Sequence, residues 1–196
     1  MTLYRTFIAI ELSDESRRMV AEVQERLRAD GATLRWVKPE NLHYTLSFLG
    51  EIPAAQVARA VVATRSAVSR IAPFSVVIGG LGAFPSLERP QVVWIGCAEG
   101  SELLGRLAGD VKAALDRERL TSDPKPFRPH LTLGRAKDNR QWGDLVRAVR
   151  AHQGATIGRE WIKAVTVMES RLTPDGPIYT PREKVQLGHG LNSTST

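Results

Sequence analysis

The amino-acid pattern is that of an α+β protein of two duplicated lobes related by a pseudo-twofold. Each lobe is expected to be a mostly antiparallel β-sheet with helices on its outer face, and a central groove separates them. Three observations lead there. The tetrapeptide His43-Tyr44-Thr45-Leu46 recurs as His130-Leu131-Thr132-Leu133, nearly half a chain length away, in a sequence with only 4 histidines. By average composition, that coincidence has a chance on the order of one in ten thousand. The flanking pattern also repeats: strand, helix, His-motif strand, helix and strand, then the same order again. Finally, strands mixed with helices and hairpin-like turns favour antiparallel sheets over a doubly wound one. A chain of 196 residues can form one large domain or two lobes with a shared core. Residues 1–187 are expected to form a single bilobal domain, with a flexible tail at 188–196.

Taken in order, residues 5–12 (RTFIAIEL) alternate well enough for an opening strand. Ser13 followed by Asp14 and Glu15 is an N-cap with acids at the positive helix end. Met19, Val20, Val23 and Leu27 follow at helical spacing, and Gly31 ends the run. The first His motif lies in a strand over Leu42–Leu49, bounded by Asn41 and Gly50. Pro53 starts a second helix with Val57, Val61 and Val68 on its stripe. Phe74–Leu81 reads as a strand closed by glycines, residues 82–90 as a loop and Gln91–Cys97 as a strand. Ser101 caps a third helix, whose Leu104, Leu107, Val111 and Leu115 recur at three and four residues. A basic, proline-broken loop over 124–129 leads to the second motif. A short helix over Trp142–Val149, a strand over Ile162–Leu172, a turn at 174–177 and a strand over Ile178–Leu187 complete the chain.

Composition bounds the function. With 42% hydrophobic and 24% charged residues, the chain has ample material for a core. Its single cysteine, Cys97, cannot form an internal disulfide and reads as a buried structural thiol in a reducing compartment. No apolar run approaches the roughly 20 residues needed to span a bilayer, and Phe7–Leu12 lacks a signal-peptide cleavage pattern. A cytoplasmic protein is expected. A formal charge of +6 favours an anionic partner, and arginine, the dominant basic residue, suits phosphate.

On an extended strand, residues two apart share a face. His43 and Thr45 therefore project together, and so do His130 and Thr132, while Tyr44, Leu46, Phe48, Leu131 and Leu133 are expected to face a core. Two such units facing each other suit in-line displacement at phosphorus, where attacking and leaving oxygens lie on opposite sides. A neutral imidazole takes the nucleophile's proton and a charged one protonates the leaving oxygen. The threonine hydroxyls can donate to the non-bridging oxygens. Neither motif carries a carboxylate or third histidine at ligand spacing, so no metal site is expected. His152, near a helix end, and His189, in the tail, read as surface residues.

These residues resemble the two-histidine (2H) phosphoesterase superfamily, in particular the RNA 2′,3′-cyclic phosphodiesterases, also called 2′-5′ RNA ligases. The resemblance spans residues 5–187. It rests on RTFIAI at 5–10, ENLHYTLSFLG at 40–50, VWIG at 93–96, FRPHLTLGR at 127–135 and IYTP at 178–181. It implies a metal-free, cofactor-free enzyme that opens a terminal 2′,3′-cyclic phosphate on RNA to a 2′-phosphate. Transfer RNA fragments are among the substrates it suggests, and reversible 2′-5′ ligation is the reverse chemistry. By motif position His43 is the proton donor, His130 the proton acceptor, and Thr45 and Thr132 bind phosphate oxygens.

The resemblance also makes Arg135 a substrate-binding residue, although a regular strand points it away from His130, so a bulge or strand end is required. Phe7, on a face with Ala9, can stack a terminal base or pack in the core. Arg5, Arg89 and Arg128 are candidates for a basic path, and nothing demands more than a monomer. Two other readings stand beside this one: a 2H phosphoesterase for small cyclic nucleotides or ADP-ribose cyclic phosphate, and a non-catalytic RNA-end-binding module.

Overall fold

Ser13 caps the first helix as its position predicts. Its hydroxyl accepts from the Ser16 N–H at 3.2 Å and donates to the buried Glu160 carboxylate at 2.7 Å. In the computed structural model, which describes residues 2–121, 123–137, 142–174 and 176–188, that helix follows the opening strand. The order is β1 (Leu3–Glu11), α1 (Asp14–Ala29), β2 (Leu34–Trp36), a 3-10 turn (Pro39–Asn41), β3 (His43–Pro53), α2 (Ala54–Val68), β4 (Phe74–Pro85) and β5 (Pro90–Glu99). Then come α3 (Ser101–Arg117), β6 (Leu131–Ala136), α4 (Trp142–Ala151), β7 (Thr156–Ile162), β8 (Ala164–Thr173) and β9 (Gly176–Gln186). Nearly all of the expected tail, His189 included, lies outside the described residues. The last described residue, Gly188, donates its N–H to the Val68 carbonyl at 3.0 Å.

The fold is α+β and bilobal, with antiparallel pairing throughout the described strands. The strands run in the order β7-β4-β5-β6-β3-β1-β8-β9, and β2 pairs with β6. The two halves of this order, β7-β4-β5-β6 and β3-β1-β8-β9, mirror each other about the β3–β6 junction. There a single residue pair, Tyr44 and Leu131, bridges the lobes. Both side chains are fully buried, and the Tyr44 hydroxyl donates to the Gly96 carbonyl at 3.3 Å. Helices α2 and α3 pack on the β3 lobe, and α1 and α4 on the β6 lobe. The lobes are therefore not consecutive halves of the chain. β4 leaves the first repeat to join β5, and β8 returns from the second to join β1. One apolar cluster, from Ile8 and Ile10 through Tyr44 and Leu131 to Val149 and Val165, runs beneath both.

Several boundaries differ from the sequence expectations. β4 continues through residues 82–85, leaving a loop of only 86–89. Its glycines shape the strand instead of ending it: a Cβ on Gly82 would lie 2.3 Å from the Trp94 indole, which covers it. The residue capping α3 is Gly100, at φ 82°, and Ser101 is already helical. The strand expected over Ile162–Leu172 is β8, which begins at Ala164, and a separate strand, β7, precedes it and ends at Ile162. On α2 the buried stripe is Ala60, Ala63, Thr64 and Val68, with Val57 and Val61 at its border. Cys97 is half-buried; its thiol meets the Glu99 carbonyl at 2.9 Å, and burial pushes its pKa up to about 11. His152, expected at the surface, is half-buried and pairs with Asp30 at 2.6 Å.

Candidate active site

The Tyr44–Leu131 bridge fixes the site. Residues next to a bridge in antiparallel strands face each other crosswise, which sets Thr45 beside His130 and Thr132 beside His43. All four side chains line one cleft of about 680 Å³ between the lobes. The two motifs that the sequence presented as separate copies thus form one constellation, with a histidine and a threonine from each lobe.

Each imidazole is oriented in the same way. His43 Nδ1 lies 2.7 Å from the Asn41 carbonyl, and His130 Nδ1 lies 2.6 Å from the Arg128 carbonyl. A carbonyl can only accept, so Nδ1 carries the proton in both rings and Nε2 is left for chemistry. Aromatic rings pack against both imidazoles. Phe7 lies 4.9 Å and Tyr179 5.2 Å from the His43 ring centroid; Phe84 lies 5.0 Å and Trp94 6.4 Å from that of His130.

Burial pushes both imidazoles below their ordinary range, opposed in each by the backbone carbonyl at Nδ1. The smaller influences differ between them. Glu11, paired with His43 across β1 and β3, favours the charged form of His43, while the neighbouring His130 opposes it. The Arg135 guanidinium favours neutral His130.

Strand irregularities decide what else enters the cleft. Along β6 the register with β5 slips by one residue, so that Thr132 meets Trp94 and Gly134 meets Val93, with Leu133 left over. The extra residue reverses the facing of the rest of the strand, and Arg135 turns into the cleft with His130 and Thr132. This is the bulge that the arginine's position demanded. β3 does the same at Leu46, between the pairs Ile8–Ser47 and Ala9–Thr45. Phe48 consequently lines the cleft instead of facing the core, which corrects the parity expectation. Phe48 and Arg135 are pseudo-twofold mates, each five residues past its histidine. Arg5 stacks its guanidinium 4.6 Å from the Phe48 ring. Phe7 touches the cleft yet is only 4% exposed, packed with Ala9 and Met168 beneath His43. Arg89 and Arg128 are not among the lining residues.

Three contributors were missed in the sequence. Buried Gln24, on α1, donates to the carbonyls of Val37 at 2.8 Å and Leu133 at 2.9 Å, tying the β6 bulge to the β2 segment. Its signal was a polar residue at a stripe position between Val20, Val23 and Leu27. The segment from β2 to the 3-10 turn contributes Arg35, Trp36, Val37, Lys38 and Asn41 to one wall. Tyr179, from β9, completes the opposite wall; burial raises its phenol pKa, with Arg135 and Arg5 opposing. Asn41 reaches across to the Pro177 carbonyl at 3.1 Å. Among the described lining residues there are four cations (Arg5, Arg35, Lys38 and Arg135) and no carboxylate.

A model of the family described as LigT like phosphoesterase matches the chain twice in tandem, over residues 10–94 and 95–179. The chain belongs to the LigT-like phosphoesterases. Each match holds one His-x-Thr motif, so the duplication is visible in the family pattern itself. Two curated relatives named RNA 2′,3′-cyclic phosphodiesterase span nearly the same length. That of Methanothermobacter thermautotrophicus is 34% identical over 186 residues, covering 93% of this chain and 98% of the relative. That of Archaeoglobus fulgidus is 37% identical over 175 residues, covering 89% and 96%. Among solved LigT-like folds, TT0787 of Thermus thermophilus superposes with a TM-score of 0.77 at 30% identity, covering 94% of this chain and 98% of that one. E. coli LigT in complex with NADP+ gives 0.72 at 26% identity, with the same coverage. This LigT-like chain is thus a phosphoesterase whose own cleft carries both motifs.

Proposed function

We propose that the protein hydrolyses the 2′,3′-cyclic phosphate at an RNA 3′ end to a 2′-phosphate, with His43 as acid and His130 as base. The carrying observation is the cleft itself: two Nε2 atoms in matching tautomers beside two threonines, among cations and no carboxylate. The names of the curated relatives supply the substrate class.

In the reaction, a water loses a proton to neutral His130 Nε2 and its oxygen bonds to phosphorus. The phosphorus–O3′ bond breaks in line, and charged His43 Nε2 gives its proton to O3′. Thr45 and Thr132 donate to the non-bridging oxygens, with Arg135 balancing their charge. The unequal surroundings of the imidazoles support this assignment: a carboxylate beside the acid and a guanidinium beside the base. A 5′-hydroxyl RNA end in place of water would yield a 2′-5′ linkage by the same steps. None of these steps requires a metal, and residues 1–187 act as one domain because each lobe supplies half of the site.

The test is an assay of RNA ending in a 2′,3′-cyclic phosphate after EDTA treatment, with end-group analysis of the product. The wild type should release a 2′-phosphate end, and His43→Ala and His130→Ala should each lose ~10²–10⁴ in rate. Full activity in either variant ends the acid–base assignment, a 3′-phosphate product reverses the leaving oxygen, and loss of activity on chelation ends metal independence.

A further inference from the structure

Arg35 of β2 stands directly opposite Arg135 of β6 in the antiparallel register. Directly opposed side chains in such a pair lie with Cβ atoms ~5 Å apart, and like charges there repel. Neither arginine has an ion pair or side-chain hydrogen bond among the described residues, and both are exposed on the cleft wall. Two guanidiniums forced together without a carboxylate are a site waiting for an anion, since a phosphate accepts from both forks at once.

The reacting phosphate does not use this pair in full. Arg135 is near enough to His130 to depress its titration, while Arg35 faces Arg135 from β2. The chain then runs back through Val37, bonded to the Leu133 carbonyl, so Lys38 lies toward the histidine end and Arg35 toward the outer end. The pair is also one-sided. The pseudo-twofold mate of Arg135 is Phe48, and the chain preceding the second motif meets that edge with one backbone bond, Asp123 N–H to the Phe48 carbonyl at 3.0 Å, where β2 forms a strand.

We infer that Arg35 and Arg135 hold a second phosphate, the internucleotide phosphate on the 5′ side of the terminal nucleotide, so that RNA leaves the cleft along β2. This rests on the phosphodiesterase reading and narrows its substrate to an oligonucleotide with at least one internal phosphodiester.

Three probes separate the possibilities: a nucleoside 2′,3′-cyclic phosphate, a dinucleotide ending in that group, and the same dinucleotide with an uncharged methylphosphonate linkage. In the wild type, kcat/KM for the charged dinucleotide should exceed that for each of the other two about tenfold or more, since a charge-assisted bond strengthens binding by that order. In Arg35→Gln, where Arg135 remains, the preference for the charged over the uncharged dinucleotide should shrink several-fold, and Arg35→Lys should restore part of the difference. Equal use of both dinucleotides by the wild type, or full discrimination in Arg35→Gln, overturns the subsite while leaving the phosphodiesterase intact. No turnover of any probe overturns both.

Discussion

Each histidine must be in a different protonation state for turnover, yet burial pushes both toward neutrality. In the free enzyme the singly protonated pair is most abundant between two depressed pKa values. The kcat/KM profile should therefore be bell-shaped with its maximum below pH 6.5, the ordinary imidazole value, falling as alkali removes the last shared proton. A bound phosphate anion favours protonation, so the kcat profile should sit at higher pH than that of kcat/KM. Steady-state kinetics from about pH 4.5 to 9 checks both, and coincident profiles would contradict the picture. The same shifts bear on stability. Unfolded histidines bind protons at pH values where the folded ones do not, so stability rises with pH across the window from the folded pKa values up to 6.5. Denaturant midpoints should show that slope, and His43→Gln should reduce it. The pairing of the two motifs was legible in the sequence because each motif is four consecutive residues. Arg135 and Phe48 were harder to read, because facing by alternation fails wherever an unannounced extra residue enters a strand.

Among the elements, the β6 bulge decides how the arginines are aimed, and two residues hold it. Gln24→Leu keeps the volume but removes a donor from two carbonyls. That of Leu133 keeps the Val37 N–H at 2.9 Å, so the cost of about 1–3 kcal/mol falls on the Val37 carbonyl. Chemical denaturation should show that loss, together with a raised KM as Arg135 loses its setting. Gly134→Ala is the steric counterpart. Its Cβ would lie 2.9 Å from Leu34 Cβ and 3.1 Å from the Arg35 carbonyl, so β2 must move. The expected outcome is a destabilised variant whose activity on RNA falls more than its residual activity on a nucleoside cyclic phosphate, read by parallel kcat/KM measurements. β2 was not visible in the sequence because three residues are too short for a period. It forms only because β6 offers an edge and Gln24 ties its end.

For the whole molecule, each lobe takes strands from both repeats, and a single apolar cluster underlies them. Neither lobe has a complete core in half the chain, so unfolding should be one cooperative event. All 4 tryptophans, on β2, β5, α4 and β7, belong to the β6 lobe, so fluorescence reports that lobe while far-UV circular dichroism reports both. Coincident urea transitions by the two probes are expected. A fluorescence transition separated from the dichroism transition would show lobes that unfold independently. Leu131→Ala, at the junction, should cost about 2–5 kcal/mol of stability and lower the common midpoint.

Periodicity, capping and short spacing are properties of neighbouring residues, and they alone carried the α+β class, most helices and strands, and the repeated His-x-Thr unit. Packing across the folded chain settled the rest: the exchange of strands between repeats, the meeting of Tyr44 with Leu131, and the sharing of one cleft by Arg35, Arg135, Phe48 and Tyr179. Those relations join residues far apart in the chain, and they depend on bulges and buried hydrogen bonds that have no local signature.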